Sequence, residues 1–203
     1  VFASYYYALQ VAADGGNPYD KGALEAASRA DGTRRSVHPF FYPPPFLLAV
    51  AWALPLELTT AFRTWFWLDE LAALASALVL WRWWRPQGPA VGVVSAAAVA
   101  TLTALPNNHV MGQANLPVLL LVLAGLWADD RDRPALGGVL VGLACMMKMS
   151  PALFVAWWLL RRRWVAVGAS IATAVLSSIA ALALVDPSTQ LHFYTEVLPG
   201  FAS

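Results

Sequence analysis

Long apolar stretches separated by short polar loops dominate the chain from residue 43 onward. The clearest are Pro89–Pro106, Leu116–Ala128, Ala135–Leu160 and Trp164–Val185. A helix needs about 20 predominantly apolar residues to cross a bilayer, and several of these stretches approach that length. The pattern therefore predicts helices that cross or enter a membrane, with residues 43–185 forming an all-α transmembrane bundle.

Residues 1–42 form the long polar region, and residues 186–203 begin a second one. Within the first, Phe2–Ala13 is aromatic and apolar enough to predict an amphipathic helix that lies on the membrane surface. The turn residues Gly15, Gly16 and Asn17 precede a proline and end that helix. The sequence thus predicts two polar regions that flank the bundle.

Arginines in the loops predict which side of the membrane each loop faces. They occur in three clusters, which are Arg82 with Arg85, Arg131 with Arg133, and Arg161-Arg162-Arg163. Cytoplasmic loops carry an excess of such residues. The loop 106–115 contains no lysine or arginine, so it is predicted to lie outside, as are residues 1–42 and 186–203.

This orientation leaves Ala135–Leu160 with cytoplasmic charge at both ends. Two passes through the bilayer would give each half only about 12 residues, which is short of a full crossing. We therefore predict a pair of short, broken helices that turn at Lys148–Pro151, since such breaks are tolerated where they line a cavity. A similar dip is predicted for residues 46–57, with a return near Glu57–Arg63 and a crossing helix from about Trp65.

A second topology is also compatible with the pattern. It has six plain crossings, which keeps every helix long but places the loop containing His109 inside and Arg82 and Arg85 outside.

Composition supports the membrane interpretation and restricts the partners. Hydrophobic residues make up 59% of the 203 residues and charged residues only 12%, about half the usual charged share of a soluble domain. The ten tryptophans cluster near the ends of apolar stretches, as Trp157 and Trp158 do, where indoles favour the membrane interface. The net charge of +1 is scattered over loops, so no nucleic-acid partner is expected.

Cysteine and histidine usage predicts neither a disulfide nor a metal site. Cys145 is the single cysteine, and its apolar neighbours predict a packed side chain. His38, His109 and His192 lack the spacing of metal ligands.

Charges inside apolar stretches are costly and therefore mark candidate functional residues. Lys148 stands between methionines, three residues before Pro151, and is predicted to bind an anion such as a lipid phosphate. The structural alternative is a lysine that extends to the membrane interface. Arg63 is a second candidate for phosphate, although an interfacial arginine is equally compatible, and the spacing to Asp69 and Glu70 argues against direct pairing.

The predicted outer loop is rich in uncharged hydrogen-bonding side chains, namely Asn107, Asn108, His109, Gln113 and Asn115. Such groups suit the hydroxyls of a sugar, which need directional donors and acceptors. An ordinary polar loop would have a similar composition.

Several short strings, taken in order, resemble the GT-C glycosyltransferases and specifically glycosyltransferase family 87. They are Tyr5-Tyr6-Tyr7-Ala8, Gly16-Asn17-Pro18-Tyr19-Asp20, Tyr42-Pro43-Pro44-Pro45-Phe46, Gly112-Gln113-Ala114-Asn115-Leu116, Gly138 to Ala144 leading to Lys148 and Pro151, and Arg162-Arg163-Trp164, followed by Tyr194 to Pro199 as the next outer loop. The match covers nearly the whole chain.

The resemblance implies a GT-C-type bundle in a bacterial plasma membrane that is crossed several times. It implies inverting transfer of a sugar, mannose or arabinofuranose, from a polyprenyl-phosphate donor to a glycolipid or polysaccharide on the extracytoplasmic face, without a further cofactor. Lys148 and Arg63 would hold the lipid phosphate. The residues expected to bind sugar or acceptor are Tyr6, Asn17, Tyr19, Tyr42, Asn108, His109, Gln113 and Asn115.

The resemblance also exposes a departure at the catalytic carboxylate. The family aspartate that takes the proton from the acceptor hydroxyl would fall at Val1, so it is not assigned here. Asp20 is a weaker candidate, and a turn-forming role is the alternative for it. The opening Val1-Phe2-Ala3 predicts a fragment of a longer protein.

Two other functions remain open at this point. A transporter or lipid flippase would share broken helices and buried charge, but should show repeats in its two halves, and none is visible in the sequence. A degenerate, non-catalytic relative would also explain the missing aspartate.

Overall fold

A computed structural model describes residues 1–33, 36–103 and 110–201, and within them it is helical with no strand. The chain forms two compact units, one of Val1–Arg63 with Ser177–Ser203 and one of Thr64–Leu176. The α-helices are α1 Phe2–Ala13, α2 Lys21–Ala30, α3 Phe46–Val50, α4 Leu58–Trp84, α5 Pro89–Thr103, α6 Asn115–Asp130, α7 Pro134–Met147, α8 Ala152–Leu160, α9 Trp164–Ala181 and α10 Pro187–His192. A π-helical turn, Phe193–Val197, follows α10. The all-α prediction is confirmed.

Helix α1 occupies the predicted residues but has different surroundings from those expected. Nine of its twelve residues are buried, and Tyr5, Ala8 and Leu9 are fully covered. A helix lying on a membrane would keep one face free of protein, so the predicted surface helix is wrong in this respect. The amphipathic helix of this region is instead α2, in which only Leu24 and Ser28 are buried.

Aromatic side chains form the core of the first unit. Tyr5 packs against Phe46 with ring centroids 4.7 Å apart, and Phe46 lies 4.6 Å from Tyr42. Rings of this size bury a large apolar area and prefer tilted or edge-to-face contacts. The aromatic strings at residues 5–7 and 40–46 therefore build this core.

Two helices are long and apolar enough to cross a bilayer by their length and composition. They span Leu58–Gln87, including a terminal 3₁₀ turn, and Trp164–Ala181. The shorter apolar helices within the described residues are Pro89–Val99 and Pro134–Met147. Helix α3 before α4 is short, and the predicted dip of this region into the bilayer stays a prediction, but α4 begins at Leu58 instead of about Trp65. The segment 58–64 contains neither glycine nor proline, so nothing in it stops a helix.

Small residues allow α7 to approach its neighbours closely. A Cβ added at Gly138 would collide with the Ala166 backbone oxygen of α9, and one at Gly142 would lie 2.9 Å from the Ser170 oxygen. The Ser170 hydroxyl donates to the Gly138 carbonyl at 3.0 Å, which joins the two helices. These small residues therefore allow the backbones of α7 and α9 to approach each other closely.

The predicted break in the stretch 135–160 is confirmed. Helix α7 ends at Met147, Lys148 has extended backbone angles of φ −155° and ψ 136°, and α8 starts at Ala152. Pro151 precedes α8, where its fixed φ suits a helix start and its missing N–H costs no hydrogen bond. The two helices have 14 and 9 residues, so each is shorter than a full crossing.

Trp158 was expected at the membrane interface, but it belongs to the interior of the second unit. It is fully buried and packs with Val141, Cys145 and Ala166, so its indole contacts protein. Cys145 is buried as predicted.

Candidate functional site

The break between α7 and α8 holds the lysine that the sequence singled out. Lys148 follows the last residue of α7 and is partly buried. Its ammonium Nζ donates a hydrogen bond to Oδ1 of Asn115, at 2.8 Å, across 33 residues of sequence. The helix break therefore places this cation beside the start of α6.

Asn115 extends the contact to a second amide. Its Nδ2 donates to Oε1 of Gln113 at 2.7 Å, so Gln113, Asn115 and Lys148 form one chain of hydrogen bonds. All three side chains are partly exposed. The structure thus joins a predicted phosphate ligand to two predicted sugar ligands.

The electrostatics of this site favour an anion. Asn115 is the first residue of the 16-residue α6, and the start of a helix carries partial positive charge. Among the residues that the structure describes, no carboxylate lies within 4.0 Å of Lys148. The ammonium is oriented by one neutral amide oxygen, which leaves its charge available to a phosphate oxygen. Amide groups beside it can accept from or donate to a hydroxyl.

The three predicted tyrosines lie in the first unit and use their hydroxyls within it. Tyr6 donates to the Leu56 carbonyl at 2.8 Å, and Tyr19 donates to the Tyr42 carbonyl at 2.9 Å. Tyr42 accepts from the Tyr5 hydroxyl at 2.6 Å. Burial raises the pKa of the Tyr19 and Tyr42 hydroxyls, so both stay protonated. These contacts hold the aromatic core together, and contact with a sugar stays a prediction for all three.

Asn17 and Asp20 shape the turn before α2. The Asn17 Oδ1 accepts from the Tyr19 backbone N–H at 2.9 Å, which is an Asx turn. Asp20 is the N-cap of α2 and accepts from the Gly22 N–H at 2.8 Å. The structure supplies the turn-forming role for Asp20 that the sequence offered as its alternative.

Three further residues stay predictions as site residues. Arg63 is exposed on the second turn of α4 and belongs to the first unit, so its role with lipid phosphate stays a prediction. Asn108 and His109 lie outside the described residues.

One charged cluster in the second unit was missed by sequence reasoning. The Asp129 carboxylate accepts from Trp158 Nε1 at 2.9 Å and from Arg163 Nη2 at 2.8 Å and Nε at 3.1 Å. Arg163 also donates to the Asp129 backbone oxygen at 3.1 Å. The cluster joins the end of α6 to α8 and to the start of α9. Only the weak signal of an aspartate directly after an apolar stretch pointed to it.

Comparison with known proteins explains why the matching strings occur in this order. The sequence pattern of Glycosyltransferase family 87 matches residues 40–203. This chain belongs to glycosyltransferase family 87. The matched range includes the whole Lys148 site, so the Gln113–Asn115–Lys148 array lies within the part of the chain that defines membership in family 87. No solved structure matches the chain.

Two proteins with similar sequences come from Mycolicibacterium smegmatis. One is a polyprenol-phosphate-mannose-dependent alpha-(1-2)-phosphatidylinositol mannoside mannosyltransferase, 34% identical to this chain over an alignment covering 79% of it. The other is the corresponding phosphatidylinositol pentamannoside mannosyltransferase, 33% identical over 87% of it. The chain spans only 39% and 42% of the lengths of these two relatives.

Proposed function

We propose that the protein is a membrane mannosyltransferase that moves mannose from a polyprenyl-phosphate donor to a glycolipid acceptor, with inversion at the anomeric carbon. Membership in family 87 and the mannosyltransferase activities of two relatives support this class of reaction. They also favour an enzyme over a transporter or flippase. A phosphatidylinositol mannoside is the acceptor class to test first, because both relatives act on one.

The observation that carries the proposal is Lys148 held on a neutral amide at a helix break. In this transfer the polyprenyl phosphate leaves as an anion, so the protein must place positive charge where negative charge develops. Lys148 and the N-terminus of α6 supply that charge in our proposal. Gln113 and Asn115 orient the ammonium and offer hydrogen bonds to the mannose hydroxyls.

The break also supplies a route for the lipid. Helices α7 and α8 are too short to cross a bilayer, and such helices are tolerated in membranes where they line a cavity. We propose a multi-pass plasma membrane protein in which the polyprenyl chain reaches Lys148 from the bilayer, with the three arginine clusters on the cytoplasmic side. Transfer would then take place on the extracytoplasmic face.

The test is an assay of the full-length protein in reconstituted vesicles. Radiolabelled polyprenyl-phosphate mannose and a phosphatidylinositol mannoside acceptor should give a larger mannoside, and GDP-mannose alone should give none. Movement of the labelled donor between leaflets without product would identify a flippase. Absence of product with several lipid and glycan acceptors would reject a transferase that uses this donor.

A further inference from the structure

A cavity of about 840 Å³ opens in the second unit at the end of α6 that is remote from Lys148. Leu126 of α6, Leu153 and Phe154 of α8, and the indole of Trp157 form apolar walls. At this cavity the apolar residue Leu153 keeps 75% of its surface exposed. The size and the apolar walls match those of sites for small amphiphilic ligands.

The charged residues at this cavity differ in how far they are neutralised. Asp129 and Arg163 neutralise each other through the bonds described above, and Asp130 accepts from Trp83 Nε1 at 3.0 Å. Arg161 instead lies over the ring of Trp157, with its guanidinium carbon 5.2 Å from the ring centroid. Within the described part of the chain, no carboxylate lies within 4.0 Å of Arg161. Its hydrogen-bond donors are thus available at the rim.

The surroundings of the rim are basic. The hydrogen bonds of Trp83 with Asp130 and of Asp129 with Arg163 place the ends of α4 and α6 beside the start of α9. This end of the unit carries more arginines than aspartates, with Arg82, Arg85, Arg131, Arg133 and Arg162 outside the cavity lining. A surface of this kind attracts anionic lipid headgroups.

We propose that this cavity binds an anionic phospholipid of the adjacent leaflet. The headgroup phosphate would accept hydrogen bonds from Arg161, while an acyl chain lies against Leu126, Leu153 and Phe154. An apolar wall ending at an available guanidinium fits an amphiphile with one apolar and one anionic part. Lys148 precedes α8 and Arg161 follows it, so the nine residues of this helix hold the two cations about 14 Å apart along its axis, and we assign the headgroup at Arg161 to a lipid other than the sugar donor.

Native mass spectrometry of the full-length protein tests the proposal. The protein is released from nanodiscs that contain phosphatidylglycerol and phosphatidylcholine, and retained lipids are counted. We expect one tightly held phosphatidylglycerol in the wild type. Arg161→Gln should lower its occupancy at least about tenfold, which corresponds to the loss of one charged contact. Leu153→Trp, which fills the apolar part, should also displace it.

The matched control is Arg162→Gln. This arginine is the immediate neighbour, is exposed and does not line the cavity, so the same change of charge should leave lipid retention unchanged. An equal loss of bound phosphatidylglycerol in both arginine variants would indicate diffuse attraction to a basic surface instead of a defined site. That result would overturn the proposal.

Three further results would also overturn it. No lipid retained by the wild type, together with crosslinking of a cysteine placed at Leu153 to another protein segment, would show that protein fills the cavity. Retention of phosphatidylcholine equal to that of phosphatidylglycerol would show that Arg161 does not select an anionic headgroup. A rise in melting temperature with inorganic phosphate as large as that with phosphatidylglycerol would identify a site for phosphate alone.

Discussion

Lys148 and Arg163 are both cations at helix ends in the same compact unit, but their partners differ. Arg163 makes bidentate hydrogen bonds to the carboxylate of Asp129, whose side chain is only 9% exposed. Lys148 makes its hydrogen bond to the amide oxygen of Asn115. Within the described residues, one cation is paired with a carboxylate and the other is held by a neutral amide.

This difference underlies the separate roles that we propose, a structural one for Arg163 and a ligand-binding one for Lys148. A paired arginine fixes the distance between helices, and adding a phosphate to it would require breaking the pair. A lysine on an amide is oriented without being neutralised, so an incoming anion gains its full attraction. The position of a charge in a hydrophobic protein is therefore less informative than the identity of the group that holds it.

Removing the paired cation should cost the most. Arg163→Ala leaves the Asp129 carboxylate buried without its counter-charge. We expect a loss of about 2–3 kcal/mol of unfolding free energy, because a fully buried pair costs about 3–5 and Arg163 is 42% exposed. Thermal unfolding of the purified full-length protein in detergent measures it, with Arg162→Ala as control. Equal destabilisation by the control would show that the ion pair contributes nothing specific.

Removing the unpaired cation should affect catalysis and not stability. Lys148→Met should lower kcat/KM for polyprenyl-phosphate mannose about 10- to 100-fold, since a hydrogen bond to a charged group contributes about 1.5–3 kcal/mol. The chain offers a matched control in its other lysine, Lys21, which is exposed and lies 3.7 Å from Glu25. Lys21→Met should transfer mannose at the wild-type rate. A Lys148→Met enzyme with unchanged kinetics would remove the phosphate role.

The break at Lys148 was predictable, but the partners on either side were not. A proline and a charge inside an apolar stretch, flanked by arginines at both ends, are local signals and predicted the turn correctly. The contact with Asn115 joins residues 33 apart, and no periodicity specifies such a pair. Gln113 and Asn115 were predicted as polar residues of an outer loop, but their connection to Lys148 required the fold.

For Asp129 and the three tyrosines, the sequence did not reveal how the side chains are buried or which groups they contact. Asp129 belongs to a run of charges that reads as a solvated loop, and its burial depends on Trp158, 29 residues further on. Tyr6, Tyr19 and Tyr42 read as sugar ligands because the resemblance placed them there. Their rings pack in a core and their hydroxyls form hydrogen bonds with protein oxygens or hydroxyls, which composition alone does not reveal.

Giving Lys148 a carboxylate partner, as Arg163 has, tests the comparison directly. Asn115→Asp keeps an oxygen beside the Lys148 ammonium but adds a negative charge at about the same 2.8 Å separation. We expect kcat/KM for the donor to fall about tenfold while the melting temperature stays equal or rises, because the new pair is attractive.

Gln113→Glu adds the same charge one hydrogen bond further from the ammonium and should reduce transfer less. If the two variants lose activity equally, or Asn115→Asp loses none, neutralisation of Lys148 is not what limits transfer.

The smallest effect should come from keeping the charge of Arg163 and changing only its shape. Arg163→Lys retains a cation beside Asp129 but cannot make two parallel bonds to the carboxylate while also reaching the Asp129 backbone oxygen. We expect a loss of about 1 kcal/mol in thermal unfolding experiments, with mannose transfer unchanged below the melting temperature. A loss as large as that of Arg163→Ala would mean that geometry, and not charge, holds α6 to α9. In that case the contrast with Lys148 would rest on the number of hydrogen bonds each cation makes within the protein, and the identity of the partner group would no longer explain it.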